Sequence, residues 1–234
     1  MITFGLIGEG HTDHKVLENI LVGYFDDREG DRIDFIYRPE IGDRTYQMPK
    51  EQFGGWYQVL EYCGSEEFLD GILEQDVDYY IIQINTDKCP ERQYLDENIS
   101  QLPVEQQVEK VVEKLIEKIN KKEESFFDKF QSKIIFAIAV NEIECWLLPI
   151  FFEDKNKSRT SNCLRTLNRQ LSKKNSNLII NPNKKDSRKY EGLSAAFSKR
   201  KILLKLHPHN PSLKIFVQTL KSLFHEFENP HLKP

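Results

Sequence analysis

Five side chains able to offer hard oxygen donors stand directly after apolar runs. Glu9 lies in the turn Gly8-Glu9-Gly10, Asn85 and Asp87 in Asn85-Thr86-Asp87, and Glu142 and Glu144 in Asn141-Glu142-Ile143-Glu144. The preceding runs are Ile2-Thr3-Phe4-Gly5-Leu6-Ile7, Tyr79-Tyr80-Ile81-Ile82-Gln83-Ile84 and Ile134-Ile135-Phe136-Ala137-Ile138-Ala139-Val140, each of strand length. If all three are parallel strands of one sheet, the acids meet at its carboxyl edge, where open α/β sheets bind ligands. Carboxylate and amide oxygens of this kind suit Mg²⁺ or Mn²⁺. The simpler alternative for Glu9 is a solvated turn residue.

Other phosphate-binding readings fit less well. Gly8-x-Gly10-x-x-Asp13 approaches a dinucleotide fingerprint, but Asp13 replaces its third glycine and Glu9 would face a pyrophosphate at contact range. That repulsion costs on the order of 4 kcal/mol at an effective dielectric near 20. The absence of Gly-Lys-Ser/Thr excludes a P-loop. His207 and His209, an i, i+2 pair among prolines, lack partners for a metal site.

The elements that must position these residues alternate in type. Val16, Leu17, Ile20, Leu21 and Tyr24 recur at helical spacing after Thr12 or Asp13, either of which can cap the helix. Ile33, Phe35 and Tyr37 alternate as a strand after a polar turn at 26–31. Residues 40–64 show no clean period and are expected to form a loop-rich excursion, with Trp56 and Tyr57 packed beneath it. Ser65-Glu66-Glu67 opens a helix to Gln75, Cys89-Pro90 stops regular structure, and Pro103 opens a long amphipathic helix. Asn141 is placed to cap a short helix. Strands interleaved with helices predict an α/β fold with a mostly parallel sheet.

Charge divides the chain. Residues 155–205 carry 15 Lys/Arg against two acids, whereas the remainder carries 18 against 35, within a net charge of −4 over 234 residues. Short helices are expected near 160–173 and 191–205, separated by a polar stretch at 174–189, and a last helix at 212–227 presents Leu213, Phe216, Val217, Leu220, Leu223, Phe224 and Phe227 on one face. We therefore divide the chain into an acidic α/β part, 1–154, and a basic, mainly helical part, 155–234, packed on it. Such asymmetry suggests contact with DNA or RNA through Lys184, Lys185, Arg188, Lys189, Lys199, Arg200 and Lys201. The competing expectation is that the basic part docks on the chain's own acidic body.

With 39% apolar and 30% charged residues and no run of about 20 apolar residues, no membrane association is expected. No secretory pattern is visible, so the expected location is cytoplasmic. Cys63, Cys89, Cys145 and Cys163 form no CxxC pattern; reduced thiols are expected and a structural zinc is not.

Taken together, Ile7-Gly8-Glu9-Gly10-His11-Thr12-Asp13, Asn85-Thr86-Asp87, Glu142-Ile143-Glu144-Cys145-Trp146 and Asn210-Pro211-Ser212-Leu213 resemble small bacterial TOPRIM-like (topoisomerase–primase) proteins. Uncharacterised TOPRIM-like and RloB-like families, several found in restriction and phage-defence loci, share this pattern. The resemblance implies a Rossmann-like TOPRIM domain and a Mg²⁺- or Mn²⁺-dependent nuclease. In TOPRIM enzymes a turn glutamate serves as general acid/base or metal ligand and an Asp-x-Asp motif holds magnesium. By resemblance those roles fall to Glu9 and Asp87; their place at strand ends adds Glu144 to the expected catalytic residues, and Asn85 and Glu142 to the expected metal ligands. Asn85 departs from the pattern, because the family places an aspartate there. The rival expectation is a non-cleaving nucleic-acid-binding or effector subunit of a partner ATPase; homo-oligomerisation is left open.

Overall fold

The computed structural model describes residues 1–25, 32–39, 55–87 and 99–228, with side chains described as far as Phe224. The expected turn at 26–31, the 40–54 part of the expected loop, the stop at Cys89-Pro90 and the Phe227 side chain lie outside the described residues.

Four strands form one all-parallel sheet: β1 (Ile2–Ile7), β2 (Ile33–Arg38), β3 (Tyr79–Asn85) and β4 (Ile134–Ala139). Their spatial order is β2-β1-β3-β4, with Ile7 opposite both Arg38 and Ile82, and Asn85 opposite Ala139. The chain leaves β1 toward β2 on one side, yet β3 pairs on the other. The order therefore reverses between β1 and β3, which is the topological switch point of a doubly wound sheet.

Both faces are covered, as the near-continuous apolar strands require. Phe4, Leu6, Ile81, Ile135, Ala137 and Ala139 point to one face, where they meet α1 (His11–Phe25), α6 (Glu144–Phe151), α7 (Cys163–Lys174) and α10 (Pro211–Glu228). Ile7, Tyr80, Ile82, Ile84, Ile134 and Ile138 point to the other, against α2 (Gly55–Cys63), α3 (Glu66–Glu74) and α4 (Val104–Ile119). The short α5 (Phe126–Phe130) closes that side through Phe126. Among the described residues no helix is long and apolar enough to cross a membrane.

The basic part shares the first of these cores. Tyr190 and Leu193 of α8 (Ser187–Ser194) and Leu203 of α9 (Arg200–Leu206) belong to the same buried cluster as Phe4 and Leu6. Here α1 passes so close that a Cβ on Gly23 would stand 1.8 Å from the carbonyl oxygen of Phe197. Trp146, fully buried, stacks on Phe216 at 5.5 Å and donates its indole N–H to Ser212 Oγ at 2.8 Å. Ser212 also accepts the Val140 N–H, so the Asn-Pro-Ser segment ties the end of β4 to α6.

Several local expectations are corrected. Residues 55–63 form a helix rather than loop, and the apolar side it offers to α4 and β3 buries Trp56. The expected helix at 191–205 is two helices, α8 starting at Ser187 under an Asp186 cap and α9 starting at Arg200. Asn141 does not cap α6, whose N-cap position is Ile143 with no side-chain cap. It adopts φ +70° two residues before the N-cap position of α6. Cys145 and Cys163, expected as free thiols, are joined in a disulfide, because the packing of α6 on α7 sets their Cα atoms 5.0 Å apart. Cys63 is a buried free thiol, and Cys89 lies outside the described residues.

Candidate functional site

The turn after β1 brings Glu9 to the switch point. Gly8 is required there by close approach: a Cβ would meet His14 Nε2 at 2.8 Å. Gln83, fully buried within β3, accepts the Glu9 N–H through Oε1 at 3.3 Å. The Glu9 carboxylate in turn accepts the backbone N–H of Asn85. Burial, then the Asp13 charge, hold the Glu9 carboxyl well above its ordinary range; the Asn85 N–H opposes them and Asp87 adds to the rise.

Asp13 is the site residue that sequence reasoning missed. The sequence offers Thr12 or Asp13 as the helix cap, but α1 begins at His11, and the Asp13 and His14 N–H groups go to the Gly10 carbonyl. The Asp13 side chain instead turns inward, 5% exposed, and accepts the Asn85 side-chain amide at 3.0 Å. Burial pushes its pKa up to about 6, the amide bond of Asn85 opposing and the Glu144 charge reinforcing. Its spacing, four residues after Glu9 on the first turn of α1, was the available signal. For Gln83 the signal was a polar residue inside an apolar strand.

The remaining acids follow from the β3–β4 pairing. Asp87 is exposed, and its N–H donates to the Asn141 carbonyl at 2.9 Å, which fastens the turn after β3 to the turn after β4. Glu142 accepts the Leu164 N–H at 2.6 Å and so caps the start of α7. Burial and the neighbouring Glu144 raise its pKa, with a smaller contribution from Asp87. Glu144 is fully buried. One of its oxygens takes the Lys185 ammonium at 2.6 Å and the Tyr190 hydroxyl, while Oε2 has no hydrogen-bond partner among the described residues. Burial disfavours the charged form of Lys185, but Glu144, Asp13 and Glu142 outweigh it and hold the ammonium protonated.

The structure thus brings Glu9, Asn85, Asp87 and Glu142 to one edge and adds Asp13. Glu144 lies close enough to raise Asp13, yet its carboxylate is closed over by Lys185 and Tyr190 rather than open beside Glu9. Among the described residues no three His, Cys, Asp or Glu side chains are gathered closely enough to hold a metal. His14, behind Gly8, stacks on Tyr37 at 4.9 Å; burial lowers its pKa to about 4, and neither ring nitrogen has a partner among the described residues.

The basic residues expected at nucleic acid divide in two. Lys184, Arg188, Lys199 and Lys201 are exposed. Three others are turned inward: Lys185 to Glu144, Lys189 to the Ile179 carbonyl at 2.7 Å, and Arg200 to the Tyr24 carbonyl with its guanidinium 5.3 Å from the Tyr24 ring. The docking alternative therefore accounts for these three. Long cationic side chains reach inward because their stems pack on the shared core while their heads find carbonyl or carboxylate partners. Comparison of the chain with protein-family models, with curated proteins and with solved structures gave no match.

Proposed function

We propose that the chain is a TOPRIM-like, divalent-metal-dependent nuclease that hydrolyses phosphodiester bonds in DNA or RNA, of the kind associated with anti-phage defence. The observation that carries this reading is the meeting of Glu9, Asp13, Asn85 and Asp87 at the switch point of a parallel sheet. The donor set fits a hard cation. Burial disfavours the charged forms of both Glu9 and Asp13, and the Asp13 charge raises Glu9 further, a penalty that a bound cation would offset. Glu9, Asp87 and Asp13 are the side chains that would have to close on Mg²⁺ or Mn²⁺, with Asn85 beside them, because as they stand no three acids among the described residues are gathered closely enough to hold one. When bound, such an ion supplies Lewis acidity toward a phosphodiester oxygen and acidifies a water.

Glu9 does the proton work in this scheme. Burial and the Asp13 charge raise its pKa, the direction that lets a carboxyl hold a proton and donate it as a general acid must. The Asn85 N–H fixes one carboxylate oxygen, leaving the other to exchange the proton. Gln83, by holding the Glu9 backbone, sets the direction of that exchange. Incubation of purified protein with labelled single-stranded and duplex DNA and RNA in Mn²⁺ tests the reading. Cleavage that stops in EDTA and in Glu9→Gln is the expected result; cleavage that survives chelation overturns it.

A second reading is favoured by one observation. Asn85 stands where the family pattern has an aspartate, and its amide is directed at Asp13. A non-cleaving effector that binds nucleic acid, or serves a partner ATPase, is consistent with that loss of charge. Protein that binds nucleic acid equally with and without Mn²⁺ and leaves it intact would favour this second role.

A further inference from the structure

Like charges also gather in a groove whose lining includes none of the residues expected to bind nucleic acid. A groove of about 780 Å³ opens between the end of α6, the turn that follows it, α7 and α9. Lys157, Arg169, Lys173, Lys174, Lys205 and His209 line it, with Phe151 and Phe152 among the apolar residues of its wall. Arg169, Lys173, Lys174 and Lys205 are exposed, and Lys157 and His209 are half-buried. Among the described residues none of these five Lys/Arg side chains has a carboxylate within salt-bridge distance. Two acids share the lining. Asp154 is committed to its own turn, accepting the Asn156 N–H and side-chain amide at 2.9 Å each, and Glu153 is exposed.

A solvated helix face does not explain this arrangement. Lys173 and Lys174 do suit the negative end of the α7 dipole. Lys157 and Lys205, however, come from separate elements and open onto the same space. Cations converging from three elements, in a chain that is acidic overall, repel one another unless an anion lies between them. Lys174 also stands over the Phe151 ring, 5.4 Å from its centroid, so cation and aromatic meet in the wall of the groove. Cationic side chains beside aromatic rings are the elements of single-strand recognition, in which phosphates meet the charges and unpaired bases meet the rings.

We propose that this groove holds the backbone of a single nucleic-acid strand, its bases turned toward Phe151 and Phe152. The nucleic-acid class of the partner rests on the function proposed above; the residues are new to it. Helix α6 joins the two places, running from Glu144 at the acidic edge to Phe151 at the groove. Seven steps of about 1.5 Å separate them by about 10 Å.

Fluorescence anisotropy on the full chain in EDTA, with a labelled oligothymidylate of about eight nucleotides, tests this. The Lys173→Glu/Lys205→Glu variant should bind about tenfold more weakly or worse. Its log–log salt slope should be shallower by about 1.4, two phosphate contacts at about 0.7 each on a single strand. Lys184→Glu/Arg188→Glu should lose less. Should the groove variant also lower Tm, Arg169→Gln at an exposed position of α7 takes its place, with a slope shallower by about 0.7. Unchanged affinity overturns the proposal, and so does equal dependence on the groove for a duplex or for polyglutamate. Because no metal is present, the result is separate from cleavage: groove-dependent binding without any Mn²⁺-dependent cleavage sinks the hydrolytic reading and leaves the groove standing.

Discussion

The side-chain amide of Asn85 donates to Asp13 across 3.0 Å, and this pairing explains why an asparagine is tolerated where the resemblance leads one to look for an aspartate. With Asn85→Asp, two carboxylates would face each other at that distance. Their repulsion is on the order of 5 kcal/mol at an effective dielectric near 20, and is relieved by retention of a proton or by a cation. We expect Asn85→Asp to lower stability by about 2 kcal/mol in EDTA, and Mn²⁺ at about 100 times Kd to restore about 2.7 kcal/mol. Thermal denaturation with and without Mn²⁺ measures both. Destabilisation that Mn²⁺ leaves untouched would count against a cation at this edge.

Asp13 sets a pH dependence of stability. Its pKa is 3.8 in the reference state and about 6 in the fold, so the native protein binds the proton more tightly. The stability this contributes is fully present below about pH 4 and is lost as pH rises through about 6. At about 1.4 kcal/mol per pKa unit, the loss is about 3 kcal/mol. His14 runs the other way, because burial moves it from 6.5 to about 4: its contribution is present above about pH 6.5 and is lost as pH falls toward 4. The difference between wild type and Asp13→Asn cancels the histidine. Urea unfolding in EDTA should show Asp13→Asn gaining up to about 3 kcal/mol on wild type at about pH 8 and close to nothing at about pH 4. A constant difference across that range would reject the assignment.

Lys185 and Glu144 should behave as a coupled pair, in which the carboxylate is fully buried and the ammonium is part-exposed. Lys185→Met leaves the fully buried Glu144 charge with Tyr190 alone and should cost about 3 kcal/mol. In Lys185→Met/Glu144→Gln the buried charge is gone, and much of that loss should return. A double-mutant cycle by chemical denaturation gives the coupling energy. Additive effects would mean that Lys185 belongs to the solvated surface after all.

The Cys145–Cys163 disulfide joins α6 to the first residue of α7, one residue before the N–H that Glu142 caps. The cross-linked residues are 18 apart, and closing a loop of that size is worth about 3 kcal/mol. Reductant, or Cys145→Ser/Cys163→Ser, should lower the unfolding free energy by about that amount. Loss of the constraint at α7 should also weaken the Glu142 cap, visible as faster hydrogen exchange at the Leu164 amide. An unchanged exchange rate would separate the cap from the disulfide.

The sequence by itself determined the strands and their ends. Apolar runs of six or seven residues bounded by glycine, asparagine and acidic turns read as buried strands, and their alternation with amphipathic helices reads as a parallel sheet. Glu9, Asn85, Asp87 and Glu142 were therefore legible as residues of one edge, because a parallel sheet carries every strand's carboxyl end to the same side. The long α4 and the Ser65 cap of α3 were legible for the same local reason, since helical spacing and a hydroxyl at the N-cap act within a few residues.

What only the tertiary structure decided is which partner each polar group takes. Asp13 reads equally well as a cap, and a contact 72 residues away along the chain turns it inward to Asn85. The residues from Gly55 carry no strong helical signal, yet α4 and β3 offer an apolar surface that a helix can bury. Lys185 lies in a run that reads as a contact for nucleic acid, and Cys145 and Cys163 as separate thiols. Burial made one the counter-ion of Glu144 and the others a disulfide, because a buried charge must find its opposite and close packing sets which cysteines meet. Local propensities act over a few residues and are written in the order of the chain. Desolvation and long-range pairing depend on which surfaces the folded sheet brings together.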